Sequence, residues 1–67
     1  MRIKYDKNTD ILTIRFTDKK PVDSEHFVEQ GIVVDYDEKD NIIGLEIFDW
    51  SEKENIELPF KTELATI

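Results

Sequence analysis

Two stretches of this chain alternate apolar and polar residues with a period of two, and the first superposes on the second without a gap. Moving the first stretch along by 31 positions places Tyr5-Asp6 on Tyr36-Asp37, Ile11 on Ile42, Leu12 on Ile43, Ile14 on Leu45, Phe16 on Ile47 and Asp18 on Asp49. Period-two alternation builds strands with one buried and one wet face. Each copy holds two such runs separated by a polar, Asx-rich turn, Asp6-Lys7-Asn8-Thr9-Asp10 in the first and Asp37-Glu38-Lys39-Asp40-Asn41 in the second. Aspartate and asparagine favour such turns because their side chains bond nearby backbone amides and tolerate left-handed backbone. The chain thus reads as two similar hairpins joined by residues 19–30.

The expected architecture is α+β, mainly β, with one domain over residues 1–67: a four-stranded antiparallel sheet from two hairpins plus a short C-terminal helix. The connector, from Lys19-Lys20-Pro21 to Gln30-Gly31, reads as a loop, with a helical turn or a short irregular strand as the alternatives within it. Ser51-Glu52-Lys53-Glu54 fits a capping box, serine then glutamate three positions later, which predicts a helix over 51–57 that stops before Pro59. Leu58, Phe60, Leu64 and Ile67 are expected to pack back onto the sheet or onto another subunit. A simple meander would put the second strand beside the third, bringing Arg15 near Asp35. That would make the charge pattern structural, because opposite charges across neighbouring strands stabilise a sheet.

The charge is uneven. Residues 1–20 hold Arg2, Lys4, Lys7, Arg15, Lys19 and Lys20 against three acids, and the remainder holds three basic residues against thirteen acids, for a net charge of −7. That balance opposes non-specific nucleic-acid binding and suits a basic protein partner. In 67 residues, 39% of them hydrophobic, the core has little stability margin. There is no cysteine and His26 is the single histidine, so disulfides and a zinc site with nitrogen and sulfur ligands are ruled out. Self-association is the remaining common device, and a homodimer is expected. The absence of a long apolar run predicts no membrane span, and the polar start of the chain suggests a cytoplasmic protein.

Tyr5-Asp6, Asp10, Leu12, Ile14 and Phe16, followed by Gly31-Ile32-Val33-Val34-Asp35-Tyr36-Asp37 and Ile42-Ile43-Gly44-Leu45-Glu46-Ile47, resemble the small bacterial and archaeal proteins grouped as domain of unknown function 2283. The resemblance covers roughly residues 3–50. It implies a compact β-rich domain and no activity. Family members often carry glycine in the second turn, where this chain has Lys39-Asp40-Asn41. Some are thought to be encoded beside small proteins resembling RNA-cleaving toxins, which implies an antitoxin-like role.

Three arrangements invite chemistry. Asp35, Asp37 and Glu46 match positions 1, 3 and 12 of a calcium-binding loop, but Lys39 and Asp40 stand where a fifth-position oxygen ligand and a sixth-position glycine are required, and the flanks read as strands. Asp35 and Glu46 on neighbouring strands suggest an acid–base carboxylate pair, yet both are expected to face water. His26 lies in the polar connector, away from any nucleophile motif. No catalytic residue, metal or cofactor is expected. The aromatics Phe48, Trp50 and Phe60 near a strand end read first as core or dimer interface, and tryptophan is also the type enriched at binding hot spots.

The leading expectation is therefore a non-catalytic, homodimeric interaction module, antitoxin-like in its most concrete form, that meets a basic protein through Asp35, Asp37, Glu46, Asp49 and Trp50. The alternatives are a small structural or accessory homodimer and a carboxylate-based, metal-dependent hydrolase.

Overall fold

The computed structural model describes residues 1–55. Five strands form one antiparallel sheet: β1 (Arg2–Asp6), β2 (Ile11–Arg15), β3 (Asp23–Phe27), β4 (Ile32–Tyr36) and β5 (Ile42–Phe48), in the spatial order β1-β2-β5-β4-β3. The four expected strands are present. The fifth, β3, lies in the segment expected to be a loop. Its sequence, Asp-Ser-Glu-His-Phe, carries little apolar signal because an edge strand has one neighbour and little to bury. Only Phe27 packs against the core, while the ladder from Asp23↔Tyr36 to Phe27↔Ile32 holds the strand to β4.

The sheet is also not a four-strand meander. β2 pairs with β5, through Leu12↔Ile47, Thr13↔Glu46, Ile14↔Leu45 and Arg15↔Gly44. Ile14 and Leu45 are equivalent residues of the 31-residue repeat, and they face each other directly across this ladder. The two hairpins are therefore related by a pseudo-two-fold axis through that pair. The β2–β3 connector must then cross the ends of β5 and β4. It is tied down on the way by the Phe16 N–H donating to the Ile43 carbonyl at 2.9 Å and the Val22 N–H donating to the Tyr36 carbonyl at 2.9 Å. Three consecutive strands with a fourth returning beside them by a long connection make a Greek key.

The two turns differ by one residue. The left-handed position is Asp10 (φ 58°) in the first and Asp40 (φ 62°) in the second, a spacing of 30 rather than 31. The second hairpin absorbs the surplus in a bulge: Asp35 pairs with Gly44 but Tyr36 pairs with Ile42, so Ile43 is the extra residue. Aspartate takes the left-handed backbone in both turns, as its short polar side chain allows.

Period two sets the two faces. Ile32, Val34, Leu45 and Ile47 form a buried cluster, with Leu12, Ile14, Phe27, Tyr36 and Trp50 packed around it. The opposite face carries the register row Lys4–Thr13–Glu46–Val33–His26 and, one step along, Arg2–Arg15–Gly44–Asp35–Ser24.

No α-helix forms over the described part of 51–57. A 3-10 turn spans Trp50–Glu52 and Lys53 is extended at φ −88°, ψ 124°. Ser51, the expected cap, is otherwise engaged: its hydroxyl donates to Asp10 Oδ2 at 2.7 Å and its N–H to Asp10 Oδ1 at 3.1 Å. Residues 56 and 57 of the expected helix, and Leu58, Phe60, Leu64 and Ile67, lie outside the described residues. Among those described, no helix is long and apolar enough to cross a membrane.

Gly44 is the narrow point of the sheet. A methyl group there would stand 3.2 Å from the Ile14 carbonyl oxygen, 3.4 Å from Asp35 Oδ2 and 3.5 Å from Arg15 Cδ. The backbone oxygen cannot swing away as a side chain can. Gly44→Ala is therefore expected to destabilise the fold by about 1 kcal/mol, the strain outweighing the entropic gain of losing a glycine. Urea unfolding monitored by circular dichroism checks this as a lowered midpoint at unchanged slope.

Candidate functional site

The five residues singled out from the sequence do not converge on one surface. β4 and β5 are antiparallel, so Asp37, just past the end of β4, and Asp49, just past the end of β5, sit at opposite ends of the sheet. Glu46 lies between them on the face away from the core cluster.

Asp35 and Asp37 are buried, contrary to the expectation that they face solvent. Asp35 Oδ1 accepts the Ser24 hydroxyl at 2.6 Å, which fastens β3 to β4. Asp37 organises the second turn. Its Oδ1 accepts the backbone N–H groups of Lys39 at 2.8 Å and Asn41 at 2.9 Å, and its Oδ2 accepts Asn41 Nδ2 at 3.1 Å and Lys19 Nζ at 3.4 Å. The Asn41 backbone N–H, and then its side chain, hold the Asp37 carboxyl far below the usual carboxylate range; the Lys39 N–H and Lys19 act in the same direction against the opposing effect of desolvation. In the first turn Asp6 repeats part of this pattern, its Oδ1 accepting the Asn8 N–H at 2.9 Å. The acidic turn is thus a backbone-satisfying device in both copies.

Arg15 and Asp35 share a face, as expected, but β5 lies between their strands. They flank Gly44 from either side, and Arg15 Nη2 donates to the Lys19 carbonyl at 2.7 Å. This contact and the Lys19–Asp37 pair bring the basic connector onto the acidic second hairpin. Part of the charge asymmetry is therefore used inside the fold.

Trp50 is half-buried and packs against the core cluster, and its N–H donates to the Asp10 carbonyl at 3.1 Å. Asp49 beside it is exposed and left-handed (φ 54°). The carboxylates of Asp10, Asp49 and Glu52 lie within 4.8 Å of one another, the one such grouping among the described residues, and hard oxygen donors of this kind suit a divalent cation. Both Asp10 oxygens already accept protein donors: Oδ1 from the Tyr5 hydroxyl at 2.6 Å and the Ser51 N–H, Oδ2 from the Ser51 hydroxyl. The Tyr5 hydroxyl, and then Ser51, lower the Asp10 carboxyl, while that same bond raises the Tyr5 phenol. Asp10 and Glu52 carried no signal in the sequence, because they meet only through the β2–β5 pairing.

Asp35 and Glu46 stand on adjacent strands and the same face, the placement expected of a carboxylate pair, but Asp35 is committed to Ser24. Glu46 borders a shallow groove with Lys4, Asp6, Thr9, Ile11 and Thr13. His26 lies against Phe48, ring centroids 5.7 Å apart and tilted by 49°.

A small single-sheet domain whose acidic turns serve the backbone is the class this geometry defines. Residues 2–51 match the family model described as protein of unknown function (DUF2283), and the chain belongs to that family. No curated protein and no solved structure matches it.

The depressed Asp37 carboxyl fixes a sign for acid stability. Its contribution is present above the unfolded aspartate value of about 3.9 and is lost as pH falls from there toward the lower folded value. Asp37→Asn keeps one acceptor and removes the titrating group. The variant is expected to be less stable than wild type near neutral pH and to lose less of its stability between pH 5 and pH 2, as ~3 °C or more of difference in Tm change across that range would show.

Proposed function

We propose that this protein is a non-catalytic interaction module that works as a homodimer. One observation carries the reading: the apolar face of the sheet is finished on one side and open on the other. Ile32, Val34, Leu45 and Ile47 are 0–4% exposed, whereas Ile3 and Tyr5, which continue the same register rows onto β1, are 63% and 42% exposed. A sheet with one apolar face needs a cover, and a domain of this size gains stability from a partner subunit. The carboxylate pair that suggested catalysis supports the non-catalytic reading: of Asp35 and Glu46, Asp35 is held by the Ser24 hydroxyl of the fold itself.

Within this reading, an antitoxin-like role toward a basic protein draws on acids that remain on the surface. Asp23, Glu25 and Glu29 lie on or next to β3, Asp49 and Glu52 follow β5, and all five are exposed. Asp35 and Asp37 are not available to such a partner, and Trp50 acts mainly as a core residue. The protein is expected in the cytoplasm.

Light scattering over a dilution series tests the oligomer. The expected result is twice the chain mass, dissociating at low concentration. A monomer mass at every concentration overturns the homodimer.

A further inference from the structure

The pseudo-two-fold repeat makes β1 the counterpart of β4. The outer edge of β4 is occupied by β3, which adds to it as an antiparallel strand. The equivalent outer edge of β1 has no neighbour among the described residues, and all five of its residues are exposed. The molecule thus shows the same kind of edge twice, once filled and once open. An open edge with unpaired backbone donors and acceptors is a template for another strand.

Resting on the homodimeric reading above, we infer that the occupant is β1 of a second copy, paired antiparallel about Lys4 so that two sheets join into one. In that register Arg2 faces the second copy's Asp6, Ile3 faces its Tyr5, and Lys4 faces its Lys4, each unlike pair occurring twice by symmetry. The order basic, apolar, basic, apolar, acidic along Arg2–Asp6 is what makes the strand complementary to itself. Ile3 and Tyr5 lie on the core side and Arg2, Lys4 and Asp6 on the other, so this register keeps the apolar face continuous across the junction. Shifting it by one residue would set Ile3 and Tyr5 against the wet face of the other sheet. The shift by two that pairs Ile3 with Ile3 would oppose Arg2 to Lys4.

Two contacts within the chain compete, and neither displaces the pairing. Arg2 already meets Asp18 at 3.2 Å, but with both side chains largely in water that contact is weak. The Asp6 oxygen that accepts the Asn8 N–H leaves its other oxygen to the arginine. The opposite edge is a poor mate for β1. β3 places Asp23 and Glu25 on the core side, where they would meet Ile3 and Tyr5. β3 is also a poor mate for itself: about Glu25 it would oppose Glu25 to its own copy and Asp23 to Phe27, with no pair of opposite charges in compensation. The Lys4–Lys4 contact on the axis is the one unfavourable pair, with Glu46 two strands away in the same register row.

The chain has no cysteine, so single-cysteine variants report register without background. In an antiparallel pair only the residue on the two-fold axis faces its own copy. Lys4→Cys, Ile3→Cys and Tyr5→Cys are to be oxidised at a concentration where the wild-type mass is dimeric, with Ile3→Asp assayed by light scattering and its fold checked by circular dichroism. Ile3 is exposed enough that the aspartate variant should stay folded. The inference expects cross-linking mainly in Lys4→Cys and a shift of Ile3→Asp to the monomer mass, with Val22→Asp beside β3 remaining dimeric. Cross-linking mainly in Ile3→Cys or Tyr5→Cys overturns the register. A folded Ile3→Asp that stays dimeric overturns the surface while leaving the homodimer in place. Wild-type protein that is monomeric throughout overturns both.

Discussion

The architecture depends on the ladder between β2 and β5. β1 and β2 form a local hairpin and β3, β4 and β5 a local meander, and those two units meet in the sheet only where β2 lies against β5. At its centre Ile14 faces Leu45. The consequence reaches both ends of the sheet. At one end the ladder gathers Asp10, Asp49, Ser51 and Glu52 into a hydrogen-bonded corner. At the other it obliges the β2–β3 connector to cross β5 and β4, which puts Lys19 over Asp37. At its last pair it makes Gly44 a tight position between Arg15 and Asp35, where an added methyl would stand 3.2 Å from the Ile14 carbonyl oxygen.

The acidic character of the chain divides into two uses. Asp6 and Asp37 act as turn organisers, each accepting the N–H two residues ahead, and Asp35 ties β3 in place. The two turn carboxylates meet the backbone's own hydrogen-bond requirements, and Asp35 meets that of the Ser24 hydroxyl. Along β3, Asp23 accepts the Ser24 N–H at 2.9 Å and Glu25 the Tyr36 hydroxyl at 3.1 Å, yet both stay exposed, as do Asp49 and Glu52 after β5. Spacing along the chain does not separate the two uses.

Much of the sheet was legible in the sequence and its connectivity was not. Alternation located β1, β2, β4 and β5 because in each strand apolar residues recur on the core side of the sheet. β3 escaped, since its contacts are mainly backbone hydrogen bonds along a polar edge and only Phe27 reaches the core. The capping-box reading failed: the Ser51 hydroxyl donates to Asp10, 41 residues away, and the backbone leaves the helical conformation at Lys53. The repeat correctly matched the hairpins, but a repeat does not say which edges meet. The candidate site fared similarly: residue types were recognisable, but Asp35 and Asp37 proved to be internal, and Asp10 joined the site only through the β2–β5 pairing.

The single seam between hairpin and meander also shapes how the chain folds. Each unit closes by short loops, which is entropically cheap and fast. The seam joins residues about 30 positions apart at its centre, so its loop-closure entropy falls on one late, cooperative event. Until that event, the apolar side of β5 and the inner edge of β2 are both unpaired. The ladder that completes the native sheet is also what covers those two edges, each of which would otherwise be a template for a foreign strand.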